Sequence, residues 1–222
     1  MLATTACVDE RAFFVTGNAS ECSETAGTVN LAGGVLDVNG GYPYFFFPSV
    51  RNDLVPTQSE DGEPERNILN IEGFEVNLMM PSEFGAVDSS LTETFSYASG
   101  IVEPGGTASF TNVPILSAEL VQQLSFPDNV QPVIVAKIRA QASHNGSTLK
   151  SVEYNYPIRL CRGCLIADLG DCPSTRPVGV VTNACGFPQD APVVCCNQAV
   201  SGVKVCLDTA QLAALPLATT TP

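Results

Sequence analysis

The cysteines are the residues of this chain whose type and spacing point most clearly to chemistry. There are nine of them: Cys7, Cys22, Cys161, Cys164, Cys172, Cys185, Cys195, Cys196 and Cys206. A zinc site usually combines cysteine with histidine or uses two CxxC pairs. Here only Cys161 and Cys164 form a CxxC, and the adjacent Cys195 and Cys196 are poorly spaced for zinc. We therefore predict disulfide bonds and an exported protein, extracellular or at the cell surface, because disulfides persist in oxidising compartments.

The CxxC and the single histidine, His144, are the candidates for catalysis. A redox CxxC follows a strand and opens a helix in an α/β fold, whereas this one follows a predicted antiparallel strand and precedes further cysteines, which favours a structural role. We predict that His144 is exposed in a turn, without the partners of a catalytic base. No GxSxG, Walker or HExxH motif occurs. We therefore predict a non-enzymatic protein without cofactor or metal, and a carboxylate pair that meets only in the folded chain is the enzymatic alternative.

The odd number of cysteines leaves two arrangements open near the start of the chain. We expect a Cys7–Cys22 bridge, which leaves seven downstream cysteines, one of them free or paired with another chain. The alternative is a lipid anchor on Cys7, which would leave eight cysteines for four bridges. Small residues precede Cys7 as in a lipoprotein cleavage site, although Thr4 stands where an aliphatic residue is usual.

Charge and hydropathy exclude several kinds of partner. The net charge is −13, and residues 1–112 hold 16 of the 23 acidic residues but only three of the ten basic ones. Nucleic-acid binding needs clustered Lys and Arg, so we predict no nucleic-acid partner. No apolar stretch reaches the roughly 20 residues of a transmembrane segment, so none is predicted. The acidic loop 56–66 lacks the regular oxygen spacing of a calcium loop.

Two alternating segments, 133–141 and 151–160, predict an antiparallel hairpin. Each segment has one apolar and one polar face, as expected when a sheet covers a core on one side. Asn145-Gly146 between them suits a type I′ turn. Further strands are predicted at 11–17, 28–38, 42–50, 67–80, 92–98 and 107–113.

The aromatic run 42–47 and two short helices are the other local predictions. Neighbouring residues of a strand point to opposite faces, so the aromatic run requires either cover on both sides or an exposed strip, and we favour the core. Ser117 predicts the N-cap of a helix over 118–124. Asp208 and Gln211 predict a capping box near the C-terminal end.

Composition changes after residue 160, where cysteine, proline and glycine dominate. We predict a mainly β protein: an antiparallel immunoglobulin-like β-sandwich over residues 1–160, followed by a disulfide-rich, loop-rich extension over residues 161–222. Bridges would replace the core that such a small irregular segment cannot build by itself.

Two stretches, 49–80 and 157–196, resemble a group of uncharacterised secreted proteins and lipoproteins of myxobacteria and related bacteria. The shared pattern is a strand that ends in CxxCL at Cys161, followed by Cys172, then by CxxxQD at Cys185, and then by the Cys195-Cys196 pair. The resemblance implies export, residence in the envelope or outside the cell, and a β domain with a cysteine-rich end. It implies no activity.

These features predict an exported structural or surface protein that self-assembles into a fibre, tubule or layer. Few lysines are present to guard strand edges, charge is segregated between the two halves of the chain, and an odd cysteine can bridge subunits. We therefore predict a homo-oligomer or polymer. The alternative is an envelope-associated module that binds glycan or protein ligands on loops at one end of the sandwich.

Overall fold

The chain is mainly β, with short helices between some of its strands. The structure is a computed structural model, and it describes residues 12–20, 22, 29–57, 65–84, 87–177, 180, 182–199 and 201–216. The strands are β1 (Phe13–Ser20), β2 (Val29–Leu31), β3 (Gly34–Asp37), β4 (Tyr44–Phe46), β5 (Pro48–Asn52), β6 (Leu69–Met79), β7 (Glu93–Val102), β8 (Thr107–Ser109), β9 (Val113–Leu116), β10 (Val133–His144), β11 (Ser147–Lys150), β12 (Tyr154–Cys161), β13 (Ile166–Asp171), β14 (Val193–Asn197) and β15 (Lys204–Leu207). The helices are α1 (Ser89–Thr92), α2 (Ala118–Gln123) and α3 (Thr209–Ala214), with 3-10 turns at Val38–Gly40 and Ser82–Phe84.

Two sheets contribute to one hydrophobic core. The strands of the large sheet lie in the order β3-β12-β10-β6-β7, with β11 also paired to β10, and those of the small sheet in the order β2-β1-β5-β8. Val76, Ile138 and Ile158 enter the core from the large sheet, and Phe13 and Val50 enter it from the small one. The predicted mainly β fold is confirmed.

The predicted hairpin is present, with an interruption in its second strand. Asn145 (φ 48°) and Gly146 (φ 77°) form the turn from β10 into β11, with the positive φ angles of a type I′ turn. The chain leaves the ladder at residues 151–153 and pairs with β10 again as β12. In the gap Ser151 Oγ accepts a hydrogen bond from the amide of Ala140 at 2.9 Å, so the central strand keeps a partner.

Both predicted helix caps are present. Ser117 Oγ accepts a hydrogen bond from the amide of Leu120 at 3.1 Å at the start of α2. Asp208 and Gln211 form a reciprocal capping box at the start of α3. These side chains satisfy amides that the first turn of a helix leaves without backbone partners.

The aromatic run 42–47 is covered from both sides, as the core interpretation requires. Tyr44 and Phe46 point into the main core and are fully buried. Phe45 points the other way and packs against Phe187, with ring centroids 5.5 Å apart. Because Phe187 belongs to the cysteine-rich extension, that extension supplies the second apolar surface.

The extension contains a third sheet, in the order β13-β14-β15. β13 pairs with β14 in parallel, and so does β3 with β12. The prediction of an antiparallel sandwich is therefore wrong for the β3–β12 pair. Long connections separate the strands of each pair, and such connections permit the parallel direction that a tight hairpin excludes. The domain boundary after residue 160 stays a prediction.

Four disulfides join eight of the nine cysteines, and the ninth, Cys7, lies outside the described residues. The bridges are Cys22–Cys185, Cys161–Cys164, Cys172–Cys196 and Cys195–Cys206. The predicted Cys7–Cys22 bridge is wrong, because Cys22 is bonded to Cys185, 163 residues away in sequence. The extension folds back over the end of β1 and brings Cys185 to a Cα–Cα distance of 5.0 Å from Cys22.

Candidate functional site

The outer face of the large sheet carries polar and aromatic side chains from four neighbouring strands. One row across β12, β10, β6 and β7 consists of Asn155, Lys137, Asn77 and Glu93. The adjacent row consists of Arg139, Glu75 and Phe95. Side chains directly opposite each other in a sheet have Cβ atoms about 5 Å apart, so the two rows form one continuous surface. We call this surface the outer face.

Phe95 and Tyr97 form an aromatic pair on the outer face. The ring of Phe95 covers Gly73 of β6, where an added Cβ would lie 2.6 Å from Phe95 Cζ. Aromatic side chains stabilise strand glycines in this way. Tyr97 contacts the Phe95 ring at a centroid distance of 4.9 Å and an interplanar angle of 76°. Tyr97 is nevertheless 89% exposed, so most of its ring is open to solvent.

Polar side chains beside the aromatic pair hold one another in place. Asn77 Nδ2 donates a hydrogen bond to Glu93 Oε1 at 3.1 Å. The ammonium group of Lys150 pairs with the carboxylate of Glu75. Glu75 lies directly opposite Phe95, and Glu93 lies two residues from Phe95 on β7, so both carboxylates border the ring of Phe95.

A groove of about 600 Å³ runs along these side chains, within the usual volume range of small-ligand sites. Its third carboxylate, Glu153, pairs with Lys137 at 3.2 Å and with Arg139 at 3.6 Å. With Lys150 included, three acidic side chains of this surface face three basic ones. Lys150 does not line the groove itself, but with it this surface is close to neutral in a chain whose net charge is −13.

The two ends of the large sheet differ in how their backbone groups are covered. At one end the amide of Asp37 donates to the carbonyl of Pro188 at 2.9 Å, and the amide of Asp190 donates to the carbonyl of Val35 at 2.8 Å. The extension thus covers β3. At the other end, and within the described ranges, β7 forms backbone–backbone hydrogen bonds only with β6, and Asn52 Nδ2 donates a hydrogen bond to its last carbonyl, that of Val102, at 3.0 Å. β7 has ten residues and contains no Lys, Arg or Pro, the residues that commonly guard such a strand. We call β7 the open edge.

A buried polar cluster, the polar junction, links both sheets to the extension. It consists of Asn18, Tyr44, Tyr156 and Asp190. The Tyr44 hydroxyl lies 2.8 Å from each carboxylate oxygen of Asp190 and 3.0 Å from the Tyr156 hydroxyl. Asn18 Nδ2 donates to the Tyr156 hydroxyl at 2.7 Å. Gly34 leaves room for this cluster, since a Cβ there would lie 2.1 Å from the Tyr44 hydroxyl oxygen.

Burial controls protonation in the polar junction. Desolvation raises the pKa of Asp190 to about 6, although hydrogen bonds from the Val35 amide and the Tyr44 hydroxyl oppose the shift. Desolvation also raises the pKa of Tyr44 well above its ordinary value, and the nearby Asp190 carboxylate adds to that increase. The pKa of Tyr156 is raised by the same two causes. Both tyrosines therefore stay protonated at neutral pH and act as hydrogen-bonding groups.

The carboxylate of Asp37 organises the CxxC loop. Asp37 is fully buried, and its two oxygens accept four backbone hydrogen bonds, from Asn39, Gly163, Leu165 and Ile166. A carboxylate offers about four acceptor sites, so these amides occupy them. The sulfurs of Cys161 and Cys164 lie close to Asp37 but are bonded to each other. The arrangement is suited to a fixed turn and leaves no free oxygen of Asp37 for a metal ion.

His144 is buried, so the prediction that it is exposed is wrong. Its Nε2 lies 3.2 Å from both Asn67 Oδ1 and Asn145 Nδ2. β10 continues through position 144, and this places the imidazole against the residues that precede β6. Two side-chain amides are its hydrogen-bond partners, which gives His144 a structural position.

Most of the acidic loop 56–66 lies outside the described residues, at positions 58–64. At its end, the carboxylate of Glu65 accepts hydrogen bonds from the amides of Asn67 and Thr57. The pKa of Glu65 is lowered, chiefly by the Asn67 amide. These bonds tie the two ends of the loop together and use the carboxylate locally.

Comparisons with known proteins leave the chain without a family. No protein-family model matches it, and a search of the curated proteins finds no match. Within the described ranges no helix has the length and apolar character that crossing a bilayer requires.

Tyr97, Asp37 and Asp190 were not predicted to be site residues from the sequence. The sequence offered a clue for Tyr97, because this residue lies on the same face of the predicted strand 92–98 as Glu93. A signal also existed for Asp37, an acid inside the apolar predicted strand 28–38. None existed for Asp190, whose nearest partner, Tyr44, is 146 residues away in sequence.

Proposed function

We propose that this is an exported, non-enzymatic structural protein of the cell surface whose copies join through the open edge. Its four disulfides support export, since such bonds are typical of oxidising compartments. An immunoglobulin-like topology for residues 1–160 belongs to the same proposal, and the common core of two sheets supports it.

The surroundings of the reactive groups support a non-enzymatic role. His144 is hydrogen-bonded to two amides, so it has neither an orienting carboxylate nor a nucleophile among these partners. The carboxylates of the groove, Glu75, Glu93 and Glu153, each pair with a neighbouring donor.

The contrast between the two ends of the large sheet carries the proposal that copies join. A terminal strand presents unpaired N–H and C=O groups, which are a template for another strand. The open edge has ten residues. The other terminal strands of the described sheets are β2, β3, β4, β8, β9, β13 and β15, with three, four, three, three, four, six and four residues. The open edge is therefore the longest terminal strand, and it contains no Lys, Arg or Pro.

A second copy of the chain is the partner that this edge fits. Two copies related by a twofold axis would pair β7 with β7 in antiparallel fashion, which makes a closed, self-complementary contact. Like charges directly opposite each other would oppose such pairing. The segment 94–102 contains no Asp, Glu, Lys or Arg, so most of the strand brings no such conflict. A fibre, tubule or layer would need a further contact and stays a prediction.

Light scattering during size-exclusion chromatography tests the pairing. We expect the mass to rise from 23.3 kDa towards twice that value over an approximately hundredfold range of concentration, as mass action requires. The chain should carry Cys7→Ser, so that a covalent bridge between copies does not imitate strand pairing. Negative-stain images of the same samples show whether growth continues beyond pairs.

Two matched variants separate the open edge from general surface charge. Ser99→Lys with Ile101→Lys places two lysines at exposed positions of β7, and we expect this variant to remain monomeric. Val133→Lys with Thr148→Lys adds the same charge at exposed positions of β10 and β11 and should pair like the unmodified chain. A single mass of 23.3 kDa at every concentration, or unchanged pairing in the β7 variant, contradicts the proposal.

A further inference from the structure

Packing does not account for the position of Tyr97. Phe95 already covers Gly73, and Tyr97 adds only an edge contact to that ring while remaining 89% exposed. An aromatic ring with so little of its surface packed is available to stack with a ligand.

The charges of the outer face decide which class of ligand it suits. Glu75, Glu93 and Glu153 are matched by Lys137, Arg139 and Lys150, and five of these six belong to ion pairs within the set. A charged ligand would have to separate these pairs, and a strongly ionic polymer would meet opposite and like charges in equal number. A neutral ligand meets no such cost.

The polar groups also suit hydroxyl groups. Carboxylate, amide and guanidinium groups offer both acceptors and donors at fixed angles, and bonds in which one partner is ionised are the stronger ones. Asn77 and Glu93 are oriented by their mutual hydrogen bond of 3.1 Å. They lie in the row next to that of Phe95, so hydroxyl-binding groups stand beside an aromatic surface.

We propose that the outer face binds a neutral polysaccharide, with the ring of Tyr97 as the surface on which one sugar ring stacks. A sugar ring has an apolar C–H face, which packs on an aromatic ring as other apolar groups do. Asn77 and Glu93 lie two rows along the sheet from Tyr97, so the hydroxyl groups of the following sugars of the chain would reach them. The groove of about 600 Å³ is lined by residues of β10, β6 and β7, among them Phe95 but not Tyr97. Because Tyr97 contacts the Phe95 ring, a chain of sugars that stacks on Tyr97 can continue into the groove. This site uses side chains of the face and is independent of backbone pairing at the open edge.

Binding to insoluble polysaccharides tests this site directly. The probes are cellulose, chitin and curdlan as neutral chains and calcium alginate as an anionic one. We expect the folded chain to be retained by at least one neutral probe, with affinity that changes little between about 0.05 and about 0.5 M NaCl, because screening weakens only interactions between charges.

Three substitutions locate the site. Tyr97→Ala should weaken binding about tenfold or more, as loss of an aromatic stacking surface does elsewhere. Tyr97→Phe keeps the ring and should retain binding, and Ile101→Ala removes an exposed apolar side chain from the same strand and should retain it as well. Both positions are exposed, so far-ultraviolet circular dichroism should be unchanged. Retention by none of the neutral probes, retention by alginate alone, or equal binding by Tyr97→Ala would each overturn the proposal.

Discussion

Removal of the Cys22–Cys185 bridge is expected to destabilise the fold more than removal of any other bridge. This bond joins the end of β1 to the extension across 163 residues, whereas the other three close segments of 24, 11 and 3 residues. A cross-link restricts the unfolded chain, and the restriction grows with the length of the closed loop. Replacing both cysteines by alanine removes the restriction.

The sizes of the four effects follow from the loop lengths. The chain-entropy relation gives about 5 kcal/mol for Cys22–Cys185, about 3.5 for Cys172–Cys196, about 2.8 for Cys195–Cys206 and about 1.6 for Cys161–Cys164. The Cys161–Cys164 bridge lies inside the longest loop and shortens it by only a few residues. The expected difference between the two largest effects is therefore between about 1 and about 2 kcal/mol, a substantial fraction of the roughly 5–15 kcal/mol by which a typical domain is stable.

Urea unfolding of the four double-alanine variants, with the remaining bridges intact, measures this order. The free energy of unfolding comes from the midpoint and slope of each curve, and the Cys172→Ala, Cys196→Ala variant is the closest control because its cysteines are also buried or half-buried. If the Cys22→Ala, Cys185→Ala variant loses no more stability than this control, the long bridge does not act through the unfolded chain. Such a result would refute the chain-entropy explanation of its effect.

Two further predictions concern the polar junction and the cysteine count. Burial raises the pKa of Asp190 to about 6, so between about pH 4 and about pH 6 the folded chain keeps a proton that the unfolded chain has released. The free energy of unfolding should therefore fall as the pH rises through this range, by up to roughly 3 kcal/mol. Asp190→Asn, which tolerates the local φ of 61°, should reduce that fall in urea unfolding, and equal pH dependence in both chains would contradict the role of Asp190. Alkylation of the denatured, unreduced chain should label at most one cysteine in an intact-mass measurement. A label on Cys7 would indicate a free thiol there, and an added acyl mass would indicate a lipid anchor. Two or more labelled cysteines would contradict the four bridges.

Local periodicity predicted most of the strands. In β10 every second residue from Ile134 to Ala140 is buried, and a period of two residues is a property of the strand alone. The turn at Asn145-Gly146 could also be predicted from the sequence, since few residue pairs adopt two positive φ angles at low energetic cost. The interruption at residues 151–153 could not be predicted, because it depends on a hydrogen bond from the amide of Ala140 in β10 to the side chain of Ser151.

The candidate sites depended on contacts that the sequence pattern does not contain. Cys22 has Cys7 as its nearest cysteine in sequence, yet the fold brings Cys185 to it. His144 stands beside an Asn-Gly turn, where exposure is usual, but Asn67 covers it. Tyr97 was placed in a predicted strand correctly. It lies opposite Gly73 in the ladder, but only the side-chain positions show that Phe95, and not Tyr97, covers this glycine.

The extension explains why only one end of the large sheet is open. Gln189 accepts a hydrogen bond from the amide of Phe45 at 2.9 Å and donates one to its carbonyl at 3.0 Å, as a neighbouring strand would. Pro188 and Asp190 bond to the backbone of β3, and the bridge at Cys185 lies a few residues away. The Cys22–Cys185 bridge therefore holds the segment that covers β3 in place. Within the described ranges, β7 has no such covering segment. One covered end and one open end give each copy a single pairing surface on the large sheet, which favours closed pairs over open-ended growth through this sheet.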